Sequence, residues 1–526
     1  MNRIFKLSIG AAGLVSLLAL GCTNLDENPP SLITPGNFFR TDQEVLAGLA
    51  GVYAQLRAFA PEGGIYDVSE ITTDEDVVPT RGQDWYDNGQ WIDLHNMTWT
   101  PTSAATLNFF NGVWNNPYQG VARANLFLAA IANSSVPNKA AMVAEARTLR
   151  AYFYYVLMDY FGGVPIVTTT EVATRPRNTR REVFDFIEKE LTEASVDLPA
   201  TRPQSENGRV TQAAADAILA NMYLNAGVFT KDGAAGGISA TSYNSCSGIA
   251  VTGGDACTQA IAAADRILNS GTYRLADSFP QNFRADNNTS PENIFVVKFI
   301  AADGLGMNYI MSILHYNSIS GLSPWNGFAT LAQTYAAFDP ADKRRQVFLI
   351  GPQKDVLTGV PVNDRAGNPL VFTESIPDIH SATEGQGPRI YKWPADPGHV
   401  SWYNGNDFAL FRVGEVILIK AEAELESGNA AAALTLLNQL RARTDPVAPP
   451  LAVADHPTIL NERLFELVGE GKRRQDLIRF GGYTGRDDSA SGLAGGKAAA
   501  ADFHVLMPIP QTQIDANPKL TQNPGY

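Results

Sequence analysis

The sequence predicts a mainly α-helical fold of paired helices that carry long irregular loops and a few short strands. Two observations support this prediction. Many segments repeat apolar side chains at helical spacing, and several of these segments are separated only by short turns. Between the helical blocks lie long stretches rich in Gly, Pro, Asn and Asp, which disfavour regular structure.

The predicted helices follow one another along most of the chain. The segment from Asp42 to Phe59 carries Val45, Leu49 and Val52 on one face. A helix that Pro137 can open runs to Phe161 and should end at Gly162-Gly163. The other predicted helices are 107–131, 181–197, 211–225, 256–269, 406–427, 430–443 and 458–480. Antiparallel pairs with short turns indicate irregular tetratricopeptide-like packing, in which each pair buries a face against the next.

Four long loop stretches interrupt this pattern, at roughly 60–105, 228–255, 272–405 and 481–505. The third contains a strand-like run from Asn293 to Phe299. Loops of this length inside a compact domain are usually functional. We therefore expect one domain over 37–526, with ligand-binding insertions at roughly 60–105 and 272–405.

Residues 1–21 have the features of a secretion signal. Arg3 and Lys6 precede an uncharged apolar run that is too short to span a membrane comfortably. The run ends at Ala19-Leu20-Gly21-Cys22, which is similar to a bacterial lipobox. We expect Cys22 to be acylated and 22–36 to form a polar tether. The alternative is an ordinary cleavage site followed by a chance cysteine.

Composition limits the function classes. The formal net charge of −14 argues against nucleic acid as a partner, because phosphates would not be neutralised. Apolar residues make up 45% of the chain, enough for a large core. Beyond Cys22 the cysteines are Cys246 and Cys257, and in an exported protein a disulfide between them is expected.

The sequence predicts neither a catalytic nor a metal centre. The six histidines are scattered without zinc-site spacing, and there is no Gly-x-Ser-x-Gly elbow or phosphate-binding glycine loop. Asp286-Asn287-Asn288 lacks the spacing of an EF-hand loop, so no motif supports a bound Ca²⁺, although the sequence leaves one open. We expect no enzyme activity and no cofactor.

Loop residues support a binding function better than they support a catalytic or metal centre. The loop 71–99 combines acids, an arginine and large aromatic side chains, including Asp84. Aromatic rings can stack on the apolar faces of sugars, while carboxylates and arginine bond their hydroxyls. A second candidate combines His315-Tyr316 with Trp325-Asn326, and a third is Trp402-Tyr403-Asn404. The predicted ligand-binding residues are Asp74, Asp76, Arg81, Trp85, Tyr86, Trp91, Tyr316 and Trp325. The alternative is that each aromatic side chain anchors its loop on the body.

The ending of the chain is also distinctive. Prolines at 508, 510, 518 and 524 prevent the segments 506–510 and 517–526 from forming helices. The same ending carries apolar side chains that can dock on a folded body. These side chains are Leu506, Ile509, Ile514, Leu520 and Tyr526.

Six motifs occur in order along the chain. They are Asn37 to Phe39 with Gly48 to Tyr53, Ala144 to Tyr152 with Tyr160 to Pro165, Ser290 to Phe295, Asp407 to Ala423, Glu462 to Leu477, and the Pro-Ile-Pro and Asn-Pro-Gly-Tyr ending. Together they resemble the SusD/RagB family of nutrient-binding outer-membrane lipoproteins. Most of these residues suit helix packing, so the resemblance identifies the fold better than the ligand.

The resemblance implies a SusD-like domain and a non-enzymatic function. It implies a lipid-anchored protein on the outer face of the outer membrane that captures an oligosaccharide. The partner would be a TonB-dependent barrel transporter, and part of the ligand platform would come from the early loop. Two other functions stay open: a helical-repeat scaffold for protein assembly and, with less support, a surface glycosidase.

Overall fold

The computed structural model describes residues 41–526 except 62, 63 and 133. The predicted signal peptide, Cys22, the tether and residues 37–40 therefore lie outside the described residues. In the described part, no helix combines the length and the apolar character needed to cross a bilayer.

Sixteen α-helices form the scaffold of the described structure. In chain order they are α1 Asp42–Tyr53, α2 Ile65–Ile71, α3 Gln90–Asn96, α4 Asn111–Ile131, α5 Lys139–Phe161, α6 Arg180–Ser195, α7 Gln212–Leu224, α8 Ala226–Phe229, α9 Ala256–Leu268, α10 Tyr309–Ile313, α11 Ala332–Ala337, α12 Val413–Glu426, α13 Ala430–Arg441, α14 His456–Leu467, α15 Arg473–Arg479 and α16 Gln511–Ala516.

The long helices pack in sequence order. Helix α5 lies against α4 and α6, α6 against α7, and α9 against both α7 and α12. Helix α12 also contacts α13 and α14. This arrangement confirms the predicted mainly α, helix-pair scaffold, in which each helix buries a face against its neighbours.

Local sequence signals set several helix ends. Thr41 and Glu44 form a capping box at the start of α1, and Thr179 and Glu182 form another at the start of α6. Helix α5 ends at Gly162, whose φ of 73° lies in the left-handed half of the backbone map. A glycine adopts that conformation without the steric cost that a Cβ atom would add.

Ten short strands form five two-stranded antiparallel sheets in the described residues. The strands are β1 Asp76–Val77, β2 Ala250–Val251, β3 Gly254–Asp255, β4 Asn293–Val297, β5 Ala329–Thr330, β6 Phe348–Leu349, β7 Gly351–Pro352, β8 Val371–Phe372, β9 Arg389–Ile390 and β10 Phe408–Arg412. The pairs are β1–β5, β2–β3, β4–β10, β6–β9 and β7–β8. Strand β4 confirms the strand expected within 293–299.

Three predicted elements differ from the structure. The helix expected over 406–427 begins only at Val413, because Phe408–Arg412 is fully buried and pairs with β4. The helix expected over 458–480 is split into α14 and α15 at Gly469 and Gly471, both of which have positive φ. The stretch 60–105 is less irregular than expected, since it contains α2 and α3.

The predicted disulfide and the docked ending are confirmed. Cys246 and Cys257 are bonded. On either side of the short helix α16 the ending is non-helical, and Leu506, Ile509 and Leu520 are buried in the main core. The hydroxyl of Tyr526 accepts from Nε1 of Trp99 at 2.8 Å and donates to the carbonyl of Leu506 at 2.8 Å.

A buried ionic network joins the long central stretch to the C-terminal helices. Glu466 on α14 accepts from Arg412 at 2.7 Å and from Arg344 at 3.0 Å, and it also pairs with Arg443. All four side chains are almost fully buried. Although burial opposes its charged form, Arg443, Arg412 and Arg344 hold the pKa of Glu466 well below its usual range. This carboxylate is therefore ionised in the core.

The substitution Glu466→Gln should destabilise the protein strongly. It removes one charge from a buried network and leaves arginines without full compensation, which typically costs about 3–5 kcal/mol. Urea unfolding followed by circular dichroism measures the loss. The control Glu193→Gln changes an exposed carboxylate on α6 and should leave the unfolding midpoint unchanged. Equal midpoints for the two variants would contradict a structural role for the network.

Candidate ligand-binding site

The two predicted loop insertions meet on the surface of the helical body. Strand β1 of the first insertion pairs with β5 of the second. The indole Nε1 of Trp85 donates to the backbone carbonyl of Trp325 at 2.6 Å, across 240 residues of sequence. The hydroxyl of Tyr316 donates to Asp84 at 2.6 Å. The first and second candidate regions of the sequence therefore form one site.

Two groups of side chains make up this site. The aromatic platform consists of Trp85, Tyr86, Tyr316 and Trp325. Tyr86 is 58% exposed and Trp325 is 40% exposed, while Trp85 and Tyr316 are half-buried. The polar belt beside it consists of Asp84, Arg365 and Glu384. The site thus offers aromatic surface and hydrogen-bonding groups to solvent side by side.

Trp85 is held in a strained backbone conformation. Its φ of 64° is rare for a residue with a bulky side chain. The indole lies close against Gly327, where a Cβ atom would come within 2.4 Å of the ring. The ring also packs against Trp91 and Phe328, with centroids 5.4 and 6.2 Å away. Strain of this kind persists where surrounding structure fixes it, and it clusters at functional sites.

The polar belt is a continuous chain of hydrogen bonds. The Arg365 guanidinium lies 4.0 Å above the Tyr316 ring, donates to Asp84 at 3.1 Å and pairs with Glu384. Glu384 also bonds Nε2 of His315 at 2.9 Å. Burial alone would raise the pKa of Glu384, but the backbone N–H of Arg365, His315 and the guanidinium lower it to about 2. Glu384 is therefore charged at neutral pH.

Three of the predicted ligand-binding residues, Asp76, Arg81 and Trp91, are buried, and a fourth, Asp74, is half-buried. Asp74 forms an ion pair with Arg473 at 2.7 Å, and Asp76 is almost fully buried in β1. Arg81 donates to the backbone carbonyls of Thr383 and Gln386. Trp91 is only 7% exposed, since its ring packs between Trp85 and Phe109. These residues support the platform from below and have little surface for a ligand.

Two residues of the polar belt were not predicted. Arg365 and Glu384 lie in the long central stretch, where no pattern in the sequence distinguishes them from other loop charges. Arg365 reaches Asp84 across 281 residues. A contact of this kind leaves no local signal in a single sequence.

The third candidate region lies on a separate hairpin. Val400 and Tyr403 pair across a turn that exposes 44% of Trp402. The Trp402 ring contacts Tyr403, with centroids 5.9 Å apart. This hairpin offers one exposed indole without a charged belt like that of the platform.

Asp286 and Asn287, the residues considered for Ca²⁺, have structural partners. In the described residues, no three or more His, Cys, Asp or Glu side chains are arranged to hold a metal ion. Asp286 pairs with Arg284, and the buried amide of Asn287 donates to the carbonyls of Asn282 and Asp407. The Asp286-Asn287-Asn288 segment thus stabilises its own loop.

Two cavities lie away from the platform. One of about 290 Å³ opens between α1 and β4, and one of about 300 Å³ lies beside the C-terminal ending. Among the described lining residues of the first, Tyr53 is the aromatic one, and its hydroxyl donates to Glu145 at 2.6 Å. Neither cavity offers several exposed rings beside charged groups. We therefore place the candidate site on the open platform.

The geometry defines a class of protein: a helical-repeat body whose loops present an aromatic and polar surface. The family models identify it further. Residues 276–526 match the model described as the SusD family, and residues 25–224 match the model described as starch-binding associating with outer membrane. The chain belongs to the SusD/RagB family.

Individual relatives agree with this assignment. The chain is 25% identical to the starch-binding protein SusD of Bacteroides thetaiotaomicron, over 98% of each chain. Among solved structures, surface glycan-binding protein A of Bacteroides uniformis has a TM-score of 0.71 at 23% identity, covering 92% of this chain and 99% of that one. The protein of the same name from B. thetaiotaomicron, in complex with laminarihexaose, has a TM-score of 0.69 at 21% identity, with the same coverage.

A buried pair of acids lies within the first insertion. Glu70 at the end of α2 and Glu75 just before β1 are both almost fully buried, and the charge of Glu70 disfavours a second charge on Glu75. Glu75 accepts from the backbone N–H of Gly469 at 2.8 Å, and Glu70 accepts from that of Gly471. Burial raises the pKa of Glu70 to about 8 and that of Glu75 well above its usual value.

This pair should make the protein less stable as the pH rises. In the unfolded chain both acids titrate near pH 4.3, so the folded protein binds more protons above that pH. The contribution of the pair to stability is complete below about pH 4 and is lost as the pH rises to about 8. Urea midpoints measured from pH 5 to 9 should fall, and Glu70→Gln should flatten this slope. An unchanged slope in Glu70→Gln, equal to that of Glu193→Gln, would contradict the raised pKa of this pair.

Proposed function

We propose that this protein is a cell-surface lipoprotein that binds oligosaccharides and passes them to a TonB-dependent outer-membrane transporter. The observation that carries the proposal is the aromatic platform with its polar belt. Tyr86 and Trp325 expose ring faces, and Asp84, Arg365 and Glu384 supply hydrogen-bonding groups beside them. A sugar presents apolar C–H faces and hydroxyl edges, so this combination fits it chemically.

The open form of the platform supports a chain-like ligand. The rings lie on the surface of two loops rather than at the bottom of a cavity, so an oligosaccharide could extend beyond the site at both ends. Rigid support from Trp91, Phe328 and Gly327 fixes the orientation of Trp85 before binding. A fixed surface loses little conformational entropy when a ligand binds. The starch- and laminarihexaose-binding relatives are consistent with such a ligand.

The membrane part of the proposal depends on the N-terminal sequence and on the family. Cys22 follows a lipobox-like motif, and acyl chains would hold the protein firmly, since each buried CH₂ contributes about 0.8 kcal/mol. The family model for residues 25–224 is described as associating with the outer membrane. We propose that the protein faces the cell exterior and acts as a binder rather than an enzyme.

Calorimetric titration of the protein without residues 1–22 tests ligand binding. Laminarihexaose and maltohexaose are suitable first ligands, followed by a panel of neutral and charged glycans. Absence of heat with every glycan would overturn the proposal. Release of reducing ends by the purified protein would favour the glycosidase alternative.

The variant Trp325→Ala should bind oligosaccharide about tenfold more weakly. It removes an exposed ring worth roughly 1.4 kcal/mol of stacking and apolar contact, while the backbone carbonyl that anchors Trp85 remains. Trp402→Ala removes an indole of similar exposure on the separate hairpin and is the matched control. The site would be wrongly located if Trp402→Ala lost affinity and Trp325→Ala retained it.

Replacing the predicted lipidation site should release the protein from the membrane. Full-length Cys22→Ser cannot form the thioether bond that carries the lipid, so radioactive palmitate should label the wild-type protein only. Fractionation should move the variant out of the outer membrane. Equal labelling of both proteins would contradict the lipoprotein assignment.

Affinity purification of the wild-type, membrane-anchored protein tests whether a transporter is its partner. Affinity purification from detergent-solubilised outer membranes should recover a TonB-dependent barrel. Recovery of a different, stoichiometric protein partner without a barrel would favour the assembly-scaffold alternative.

A further inference from the structure

We infer that the platform selects neutral oligosaccharides and rejects anionic ones, because Asp84 and Glu384 neutralise Arg365. This inference rests on the proposed glycan-binding function and adds the charge class of the ligand. It concerns ligands such as uronic-acid and sulfated glycans, which share the ring faces and hydroxyls of neutral glycans but add negative charge.

Arg365 is the residue that a carboxylate or sulfate would be expected to use. Its guanidinium is half exposed, but its Nη2 donates to Asp84 at 3.1 Å and its Nε to Glu384. One face of the guanidinium lies on the Tyr316 ring, 4.0 Å from the centroid. An anionic ligand would have to compete with two carboxylates for donors that are already engaged.

The other basic side chains behind the platform do not offer charge to a ligand. Arg81 and Arg389 are buried, and they donate to backbone carbonyls of the 383–388 loop. Arg389 also donates to Oδ1 of Asn326 at 3.1 Å. Both guanidinium groups are thus buried against the loop that carries Glu384, and neither is presented to a ligand.

His315 is held in its neutral form by its hydrogen bonds. Its Nδ1 accepts from the backbone N–H of Asn317 at 3.2 Å, so that nitrogen carries no proton. Its Nε2 then donates to Glu384 at 2.9 Å. Burial also lowers the pKa of His315. The imidazole therefore adds no positive charge at neutral pH.

At the exposed surface of the site, acidic side chains outnumber basic ones. Among the described residues at this surface, Asp84 and Glu384 pair with one exposed guanidinium, that of Arg365, and the exposed Asp87 follows Trp85 by two residues. Asp87 accepts from Nε1 of Trp91 at 2.8 Å and forms no ion pair with another described residue. The formal charge of the whole chain, −14, has the same sign. An anionic glycan would meet repulsion both on approach and in contact.

A neutral glycan avoids this conflict. A sugar hydroxyl can donate to Asp84 or Glu384 and can accept from Arg365, so it can join the belt without breaking an ion pair. A ligand carboxylate or sulfate only accepts, so it cannot bond to the two carboxylates. The belt is therefore complementary to hydroxyls.

The test compares one glycan in two charge states. Laminarihexaose and maltohexaose are each titrated beside the same sugar oxidised at C6 to carry carboxylates, at 20 mM and 500 mM NaCl. The neutral form should bind at least tenfold more tightly at low salt. The difference should narrow at high salt, because exposed charges are screened.

A double variant tests whether the belt causes this selectivity. Asp84→Asn with Glu384→Gln keeps the shape of both side chains but frees the charge of Arg365, so the oxidised hexaoses should bind at least tenfold more tightly than to wild type. The matched control is Asp185→Asn with Glu193→Gln, which changes the net charge equally on α6, away from the loops. The control should keep the wild-type preference. Thermal midpoints verify that both variants fold.

The outcomes separate this inference from the proposed function. If wild type binds the oxidised hexaoses as tightly as the neutral ones, the selectivity is overturned and glycan binding stands. If the double variant folds but gains no affinity for the oxidised forms, the role of Arg365 is overturned. If no hexaose or panel glycan binds in either charge state, the proposed function fails and the inference fails with it.

Discussion

The fold depends on buried arginine side chains that pair with acidic side chains. The network around Glu466 connects the central stretch, strand β10 and helix α14 through Arg344, Arg412 and Arg443. A similar contact, Arg473 with Asp74, fastens the first insertion to α15. Burying such charges is costly unless every one is paired, so each pair also dictates which segments must meet. The long loops are thereby held in one arrangement on the helical body.

That arrangement produces the candidate site. The first insertion contributes Trp85 and Asp84, and the second contributes Trp325, Tyr316 and the belt residue Arg365. A small second core, separate from the main one, joins the two insertions to each other and to the 481–505 loop. It consists of Val77, Ala329, Leu331, Ile376, Ile379, Ala382 and Leu493. Packed side chains and paired strands therefore support the platform. This support explains why loops with a sequence typical of irregular structure can present a fixed surface.

Much of the fold could be predicted because its signals are local. Apolar spacing located helices α4 to α7, α9 and α13 to within a few residues, and the sequence context predicted the disulfide between Cys246 and Cys257. Predictions failed where tertiary contacts override local pattern. The buried strand β10 was assigned to a helix, and the break at Gly469 and Gly471 was missed because its geometry is fixed by Glu70 and Glu75 from the first insertion.

The sequence by itself determined the class of scaffold, the family and the two insertions in which aromatic side chains concentrate. Only the tertiary structure decided which of those side chains face solvent. Trp91, Asp74, Asp76 and Arg81 turn inward, while Tyr86 and Trp325 remain exposed. The physical reason is that helix periodicity and turn preference act between neighbours in the chain. Exposure and charge pairing at this site also depend on contacts between distant residues, such as Trp85 with Trp325 and Asp84 with Arg365, which are 240 and 281 positions apart.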